Sequence, residues 1–245
     1  MELNEQIFKS ELSRIFKQNG LGAYLNVERS EKFFSLTKRM LEENEKYNLT
    51  AITEPSKIIL NHYADCATLA AKLPKGSSLI DVGCGAGFPT LPLAIIRDDI
   101  KIFAIDSTAK RISYVLESAS LLGLANVSAA AIRAEDGAKL TEYREKFDFA
   151  TARAVAEMRI LCELCLPYVK LGGKMIAMKG RNAEFELSSA KKAISLLGGS
   201  DVKIEDVTLD GGEEKLSHPL IMITKKNKTP AAYPRPYAQI SKKPL

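Results

Sequence analysis

A glycine-rich segment is the strongest chemical signal in this 245-residue sequence. It reads Asp81-Val82-Gly83-Cys84-Gly85-Ala86-Gly87-Phe88-Pro89. The segment follows a predicted strand and opens a predicted helix, which is the context that a nucleotide-binding loop requires. Glycine permits a tight turn and a close approach of the backbone to a ligand, and Pro89 suits the first turn of a helix.

The glycine spacing separates this loop from two common alternatives. A dinucleotide loop places its last two glycines three residues apart, whereas here they fall at Gly83, Gly85 and Gly87. The Gly-Lys-Ser/Thr ending of a phosphate loop is also missing. Because Asp81 directly precedes the loop, the combination favours a cationic ligand without a diphosphate.

A second acid stands where a ribose would be held. Asp106 ends the second predicted strand, 19 residues after Gly87, and an acid about 20 residues beyond such a loop grips a ribose diol in related folds. Its carboxylate can accept hydrogen bonds from both hydroxyl groups and would repel a 2′-phosphate. The loop and the acid together predict an adenosyl ligand.

Alternating strands and helices must position these residues. The predicted strands span 78–82, 101–105, 127–131, 147–151, 174–178, 202–207 and 219–224, and the predicted helices span 91–96, 109–122, 156–169 and 184–197. Gly172-Gly173 is predicted to end the third of these helices. Such alternation with short connections predicts an α/β fold with a parallel sheet.

The first 72 residues are predicted to form a helical extension. Apolar residues at helical spacing mark its first helix: Ile7, Phe8, Leu12, Ile15 and Phe16. A second stripe runs from Phe33 to Leu41, and Pro55 could open a third helix that reaches about Lys72. The predicted organisation is a helical extension over 1–72, an α/β domain over 73–225 and a basic tail over 226–245.

Composition excludes several classes of protein. The sequence is 46% hydrophobic and 27% charged, which is ordinary for a globular protein. It has no apolar run near the roughly 20 residues of a membrane span and no secretory signal, so we expect a cytoplasmic protein. The four Cys are expected to be free thiols, because the sequence has no secretory signal. The two His are not clustered with Cys, which argues against a zinc site. We interpret Cys162 and Cys165 as residues that pack in the core.

The positive charge is concentrated at the C-terminus. Residues 225–245 hold six Lys or Arg and no acid, and the remainder has 29 basic against 30 acidic residues. A short basic segment on a neutral body indicates either contact with a phosphate backbone or a solubilising tail, and both interpretations stay open here.

These features resemble class I S-adenosylmethionine-dependent methyltransferases and, more narrowly, the family of ribosomal small-subunit RNA methyltransferase G, or glucose-inhibited division protein B. Besides the glycine loop, the matching segments include Asn48–Ile52, His62 with Asp65, Asp106-Ser107, Lys110-Arg111, Arg133–Glu135, Ala152–Ala156, Lys170–Gly173, Lys179-Gly180 and Tyr233–Arg235. The tail departs from the family pattern over 236–241, while its two ends match.

The resemblance implies a fold and a reaction. The fold would be a Rossmann-like, mostly parallel seven-stranded sheet with an N-terminal helical extension. The reaction would be methylation of N7 of a guanosine in the 530 loop of 16S ribosomal RNA, with S-adenosylmethionine as cofactor. Because N7 carries a lone pair and no proton, we assign no catalytic acid or base. We also expect no metal, and a monomer that acts on 16S RNA or the small ribosomal subunit.

Residue roles follow from the resemblance and from position. Asp81 and Gly83 would face the methionine end of the cofactor, Asp106 its ribose, and Ala134 and Glu135 its adenine. The predicted cofactor site also includes Gly85, Gly87, Phe88 and Arg153, although Arg153 could equally meet an RNA phosphate. The predicted RNA contacts are Lys110, Arg111, Lys179, Arg181, Tyr233 and Arg235, with Tyr237 as a further residue that could stack on a base.

Other functions remain open at this point. A methyltransferase of the same fold could act on another RNA, a protein or a small molecule. A nicotinamide-dependent oxidoreductase is disfavoured by the glycine spacing, and a non-catalytic RNA-binding module by the complete loop. If the tail contacts RNA, truncation after Thr224 should weaken RNA binding and spare cofactor affinity.

Overall fold

Two amphipathic helices begin the chain, whose computed structural model describes residues 3–180 and 182–245. They are α1 (Glu5–Gln18) and α2 (Val27–Tyr47). Asn4 and Asn26 cap them, because each side-chain oxygen accepts a hydrogen bond from the backbone N–H three residues later, at 3.0 and 2.8 Å. The two helices pack on each other and on the sheet domain.

The apolar stripe predicted for α1 includes one residue that lies in solvent. Phe8, Leu12, Ile15 and Phe16 are buried, whereas Ile7 is 70% exposed. Neighbouring residues of a helix point about 100° apart, so Ile7 lies beyond the edge of the face that Phe8 buries.

The third helical segment is irregular, where the sequence predicts one helix over 55–72. The structure divides it into α3 (Pro55–Ile58), a π-helical turn (Ile59–Ala64), α4 (Asp65–Ala67) and a 3₁₀ turn (Ala70–Lys72). A π turn is wider than an α turn and is frequent at functional sites. Here it carries His62, which takes part in the site described below.

Seven strands form one sheet. They are β1 (Ser78–Val82), β2 (Lys101–Asp106), β3 (Val127–Ala131), β4 (Phe147–Arg153), β5 (Val169–Met178), β6 (Gly199–Asp210) and β7 (Lys215–Lys225). Their order is β3-β2-β1-β4-β5-β7-β6, in which β7 is antiparallel to both of its neighbours and the other pairs are parallel. The predicted mostly parallel seven-stranded sheet is therefore confirmed.

The pair Gly172-Gly173 lies inside β5 and does not end a helix, so that prediction is wrong. The preceding helix stops at Cys165, and the register between β4 and β5 shifts near the glycines. Gly172 has a φ of +82°, and a Cβ on Gly173 would lie 2.4 Å from the carbonyl oxygen of Asp148. Both positions need glycine because the strand bulges there.

Helices cover both faces of the sheet. They are α5 (Thr90–Ile96), α6 (Ala109–Leu121), α7 (Ala134–Gly137), α8 (Met158–Cys165), α9 (Ala183–Leu196) and α10 (Tyr237–Lys242). One buried cluster joins α1 and α2 to α5 and α6 and includes Leu79, and the other lies under α8 and α9 and includes Ile80. None of the helices within the described ranges is long and apolar enough to cross a membrane.

The C-terminal segment packs on the sheet domain. The buried Lys225 donates hydrogen bonds from Nζ to the carbonyl oxygens of Leu166 at 2.8 Å and Leu197 at 3.0 Å. Arg144 bonds the carbonyl oxygens of Thr229 and Tyr233 at 2.8 and 2.9 Å. Part of the basic charge at the C-terminus therefore serves to hold this segment in place.

Candidate functional site

A cavity of about 350 Å³ opens at the carboxyl ends of the parallel strands. Its walls come from the ends of β1, β2 and β4 and from the segment after β3: Val82, Gly83, Ile105, Asp106, Ile132, Arg133, Ala134, Glu135, Ala154 and Val155. After β1 the chain continues to β2 and β3 on one side of that strand, and β4 then pairs with the other side of β1. Such a switch point is where open α/β sheets bind ligands.

The three loop glycines have left-handed backbone conformations. Gly83, Gly85 and Gly87 have φ of +76°, +55° and +84°. A Cβ on Gly83 would lie 2.7 Å from Cγ2 of Val155, whereas one on Gly85 would meet no atom within 4 Å. The loop therefore requires glycine for its conformation, and at Gly85 it leaves open space.

Asp81 is completely buried at the base of this loop. Its Oδ2 accepts a hydrogen bond from the hydroxyl of Thr90 at 2.6 Å, and its Oδ1 has no hydrogen-bond partner among the described residues. Burial raises the pKa of this carboxyl to about 6, although the bonds from Thr90 oppose the shift. The side chain lies behind the cavity wall and supplies negative charge that a cationic ligand would neutralise.

Asp106 presents its carboxylate at the end of β2, within the cavity wall. The backbone N–H of Gly85 donates to Oδ2 at 3.1 Å, the N–H of Thr108 donates to Oδ1 at 2.8 Å, and Arg111 lies 3.4 Å from Oδ2. These bonds orient the group. A carboxylate has about four acceptor sites, and these three donors leave one of them, on Oδ1, for a ribose hydroxyl.

Ala134 and Glu135 begin α7 and line the far end of the cavity. The hydroxyl of Tyr168 donates to the carbonyl oxygen of Ala134 at 2.7 Å, which fixes this turn against the sheet domain. Leu164 and Ile132 add apolar surface here. This end of the cavity therefore combines apolar walls with one acid and suits a flat, weakly polar ring.

Arg153 is engaged by the N-terminal layer and does not line the cavity. Its Nη1 donates to the carbonyl oxygen of Asn61 at 2.9 Å and to Oδ2 of Asp65 at 3.1 Å, and its Nη2 lies 3.1 Å from Nδ1 of His62. The guanidinium also lies 5.2 Å from the ring centre of Phe88. Arg153 thus joins the end of β4 to the helical extension.

His62 and His218 complete this network. The ring of His62 stacks on Phe88 with centres 4.3 Å apart. Burial, together with the charge of Arg153, lowers the pKa of His62 to about 4, so the ring is neutral at pH 7 and accepts from Arg153. Nε2 of His218 lies 2.5 Å from Oδ1 of Asp65. Burial opposes the charged form of His218, but the interaction with Asp65 outweighs it and raises the pKa.

The network was only partly visible in the sequence. His62 and Asp65 are three residues apart, which is a helical spacing that places them on one side of a helix. The contact of Asp65 with His218 spans more than 150 residues of chain, and no local pattern indicates it. Phe88, predicted to pack beside the cofactor, is buried against His62 and is absent from the cavity lining.

The predicted RNA-contacting residues are in different environments. Lys110 and Arg111 are exposed at the start of α6, and Arg111 lines the cavity. Lys179 donates to the carbonyl oxygen of Ala156 at 2.8 Å and pairs with Glu186 at 2.6 Å. Arg181 lies outside the described residues.

The two predicted RNA contacts in the tail are held by the protein itself. Arg235 pairs with Glu163 at 2.6 Å, and the half-buried Tyr233 packs against the core cluster below α8. Contact of these side chains with RNA remains a prediction.

Besides Arg111, the cavity is lined by a second residue that the sequence analysis assigned to RNA. Tyr237, at the start of α10, lines the cavity together with Ala134, Glu135 and Leu164. No signal in the sequence places it there, because its position depends on how the C-terminal segment folds back. The four cysteines are buried, and no group of three potential ligands suited to a metal ion occurs among the described residues.

Comparison with known proteins gives consistent matches over most of the chain. The model of the GidB family, described as rRNA small subunit methyltransferase G, matches residues 29–216. A protein named ribosomal RNA small subunit methyltransferase G from Clostridium perfringens is 44% identical over 93% of this chain and 95% of its own length. Its namesake from Lactobacillus delbrueckii subsp. bulgaricus is 39% identical over 99% of this chain and 100% of its own.

Solved structures share the fold at low sequence identity. A SAM-dependent O-methyltransferase from Thermotoga maritima superposes with a TM-score of 0.52 at 16% identity, covering 77% of this chain and 72% of its own. The TYW2 protein of M. jannaschii, solved in complex with AdoMet, gives a TM-score of 0.51 at 16% identity, covering 65% and 72%. These likenesses show the class I methyltransferase fold.

Proposed function

The chain belongs to the rRNA small subunit methyltransferase G family, and on that premise we propose that it transfers a methyl group from S-adenosylmethionine to N7 of a guanosine in the 530 loop of 16S ribosomal RNA. The observation that carries the proposal is the cavity at the switch point of the sheet, with Asp106 oriented in its wall. We also propose that the protein acts as a monomer, without a metal ion and in the cytoplasm.

The residues present fit this cofactor. Oδ1 of Asp81 is buried and has no hydrogen-bond partner within the described part of the chain, which suits a nearby cation, and the space beyond Gly85 admits a ligand close to the backbone. Asp106 would accept the ribose hydroxyls, and Ala134 with Glu135 would border the adenine. When bound, S-adenosylmethionine supplies a methyl group on a positively charged sulfur, which a neutral lone pair can attack directly.

The acceptor explains why the chain needs no general base. N7 of guanine has an in-plane lone pair and no proton, so the protein has only to orient it. Positioning of this kind can contribute about 7–11 kcal/mol to a rate enhancement. The network around Arg153 links the end of β4, the helical extension and the end of the glycine loop. We assign it the role of fixing the positions of these segments relative to one another.

The acceptor base must leave its stack to reach the methyl group. Arg111 and its neighbour Lys110 are exposed at the start of α6, where Arg111 lines the cavity, and we expect both to meet phosphates of the RNA. The other expected contacts are Lys179, Tyr233, Arg235 and Arg181, of which Arg181 lies outside the described residues. Lys179 and Arg235 are each paired with an acid at 2.6 Å, whereas Arg111 lies 3.4 Å from Asp106, so we expect smaller contributions from Lys179 and Arg235 than from Arg111.

The test is transfer of labelled methyl from S-adenosylmethionine to small ribosomal subunits that lack the native methylation. We expect label on one guanosine N7 in the 530 loop. Label at another nucleotide or on a small molecule would instead support the second candidate, a methyltransferase of the same fold with a different acceptor. Retention of cofactor binding without any label on 16S RNA, in naked or assembled form, would contradict the proposal.

An Asp106→Asn variant tests the cofactor site separately. A hydrogen bond to a charged group contributes about 1.5–3 kcal/mol, so affinity for S-adenosylhomocysteine should fall roughly ten- to a hundredfold by calorimetry. Asp136→Asn is the matched control, because Asp136 is exposed on the adjacent α7 and is not part of the cavity wall. Equal affinity of the two variants would remove Asp106 from the site.

A further inference from the structure

The C-terminal segment ends beside the cavity and is fixed there by a buried ion pair. The backbone N–H of Arg235 donates to Oε1 of Glu163 at 2.8 Å, and its side chain donates to both carboxylate oxygens, at 2.9 Å to Oε1 and 2.6 Å to Oε2. Glu163 lies on α8 and is 0% exposed. A buried carboxylate without its partner is strongly unfavourable, so the pair fixes the direction of the chain at Arg235.

The helix that follows is anchored by an apolar contact. Ile240 of α10 is 0% exposed and belongs to the buried cluster below α8. The carbonyl oxygen of Lys243 accepts a hydrogen bond from Nη1 of Arg235 at 3.1 Å, which ties the end of α10 back to its start. Two separate attachments therefore set the position and the rotation of α10.

This orientation brings Tyr237 to the cavity. Tyr237 lines the cavity together with Leu164, Ala134 and Glu135, and the last two are the residues assigned to the adenine. Tyr237 is 40% exposed, so it has ring surface available to a ligand. The residue falls within 236–241, the part of the tail that departs from the pattern expected of the family.

We propose that the C-terminal segment is part of the cofactor site, in which Tyr237 packs on the adenine and the Arg235–Glu163 pair holds it in position. The proposal rests on the proposed function, because it assumes an adenosyl ligand in this cavity. It assigns Tyr237 to the cofactor and not to an unpaired RNA base. Stacking of a base on an aromatic side chain contributes substantially to binding, because every base offers a flat π-face.

The test compares the affinity of S-adenosylhomocysteine for three full-length variants by calorimetry. We expect Tyr237→Ala to bind about five- to tenfold more weakly than wild type, and Tyr237→Phe to bind within about twofold, since the ring is kept. Gln239→Ala is the matched control, because Gln239 is exposed on the same helix and does not line the cavity. It should bind as wild type does.

A second probe identifies the part of the ligand involved. Adenosine should lose affinity for Tyr237→Ala by about the same factor as S-adenosylhomocysteine. Equal affinity of wild type and Tyr237→Ala for both ligands would overturn this inference and leave the proposed function standing. Failure of the wild-type protein to bind S-adenosylhomocysteine would refute the cofactor site itself, and the inference with it.

Discussion

At the residue scale, two acids beside the glycine loop have the same chemistry and different surroundings. Asp106 accepts two backbone N–H groups and faces the cavity. Asp81 accepts hydrogen bonds from Thr90 and is completely buried. Burial disfavours the charged form of Asp81, and the bonds from Thr90 offset this only in part.

The pKa of Asp81 leads to a prediction about stability and pH. The folded-state pKa is raised from 3.8 to about 6, so the folded protein binds this proton more tightly than the unfolded chain. The resulting stability is present at low pH and is lost as the pH rises from about 4 to 6. The free energy of unfolding of wild type minus that of Asp81→Asn should thus increase by ~1 kcal/mol between pH 7.5 and pH 5.

Urea denaturation of the apo protein at a series of pH values measures this difference. Subtracting the Asp81→Asn curve removes the contributions of groups that titrate in both proteins. A difference that stays flat over this range, or that falls toward pH 5, would mean that the pKa of the Asp81 carboxyl is not raised.

At the element scale, the π-helical turn makes the helical extension part of the site. It carries His62, and Asp65 follows it, so both side chains reach Arg153 at the end of β4. The stack of His62 on Phe88 joins the same turn to the glycine loop. The extension and the sheet are thus linked at the carboxyl edge by charge, hydrogen bonds and an aromatic contact.

Removal of one charge from this link should destabilise the whole protein. Asp65 faces both Arg153 and His218 and has a side chain only 7% exposed. Breaking a buried pair costs about 3–5 kcal/mol, and we expect Asp65→Asn to lower the free energy of unfolding by an amount near the bottom of that range. Thermal and urea unfolding measure the loss.

Asp98→Asn provides the comparison, because the side chain of Asp98 is 87% exposed and lies 3.8 Å from Arg29. An exposed pair of this kind contributes about 0–1 kcal/mol. If the two variants lost equal stability, the network around Arg153 would have no special structural role.

At the scale of the whole molecule, the basic C-terminus is part of the folded body. Lys225 is buried against carbonyl groups, and Arg235 is paired with Glu163. Burial lowers the pKa of Lys225 to about 8, and Glu145 only partly offsets this. The sequence leaves open whether this segment contacts a phosphate backbone or is a solubilising tail, because net charge carries no information about which side chains are already paired.

The structure changes the expected effect of truncation after Thr224. Such a protein lacks Lys225, Arg235 and Ile240, and it leaves Glu163 buried without a partner. We therefore expect lower stability and weaker binding of S-adenosylhomocysteine, in addition to any decrease in RNA affinity. Melting temperature and calorimetry measure both effects.

A Lys226→Ala, Lys228→Ala double variant is the control for charge alone, because both residues are exposed and outside the cavity. It should keep the cofactor affinity of wild type. If these lysines neutralise RNA phosphates, RNA binding by the variant should also depend less steeply on salt, by about one unit of slope for each lysine removed. A truncated protein with unchanged stability and cofactor affinity would show that the tail is not a part of the site.

Much of the fold and of the cofactor site follows from local pattern. Strand and helix periodicity repeats over a few residues, so the seven strands and a mainly parallel sheet could be predicted. The antiparallel pairing of β7, the glycines inside β5 and the division of the helical segment over 55–72 could not. Asp81, Gly83 and Asp106 could be proposed as candidate cofactor residues because the glycine loop and the acid after the next strand have a fixed spacing in the chain. The geometry of parallel strands then brings them to one edge.

Only the tertiary structure decided which side chains from distant segments meet. The contact of Asp65 with His218, the pairing of Arg235 with Glu163 and the place of Tyr237 at the cavity join segments more than 70 residues apart. Contacts of this kind depend on how whole elements pack, and a residue's neighbours in the chain carry no record of them. Charge and aromatic residues in the sequence led to the prediction that the tail contacts RNA. Only the packing of the elements shows that this segment folds back onto the sheet domain.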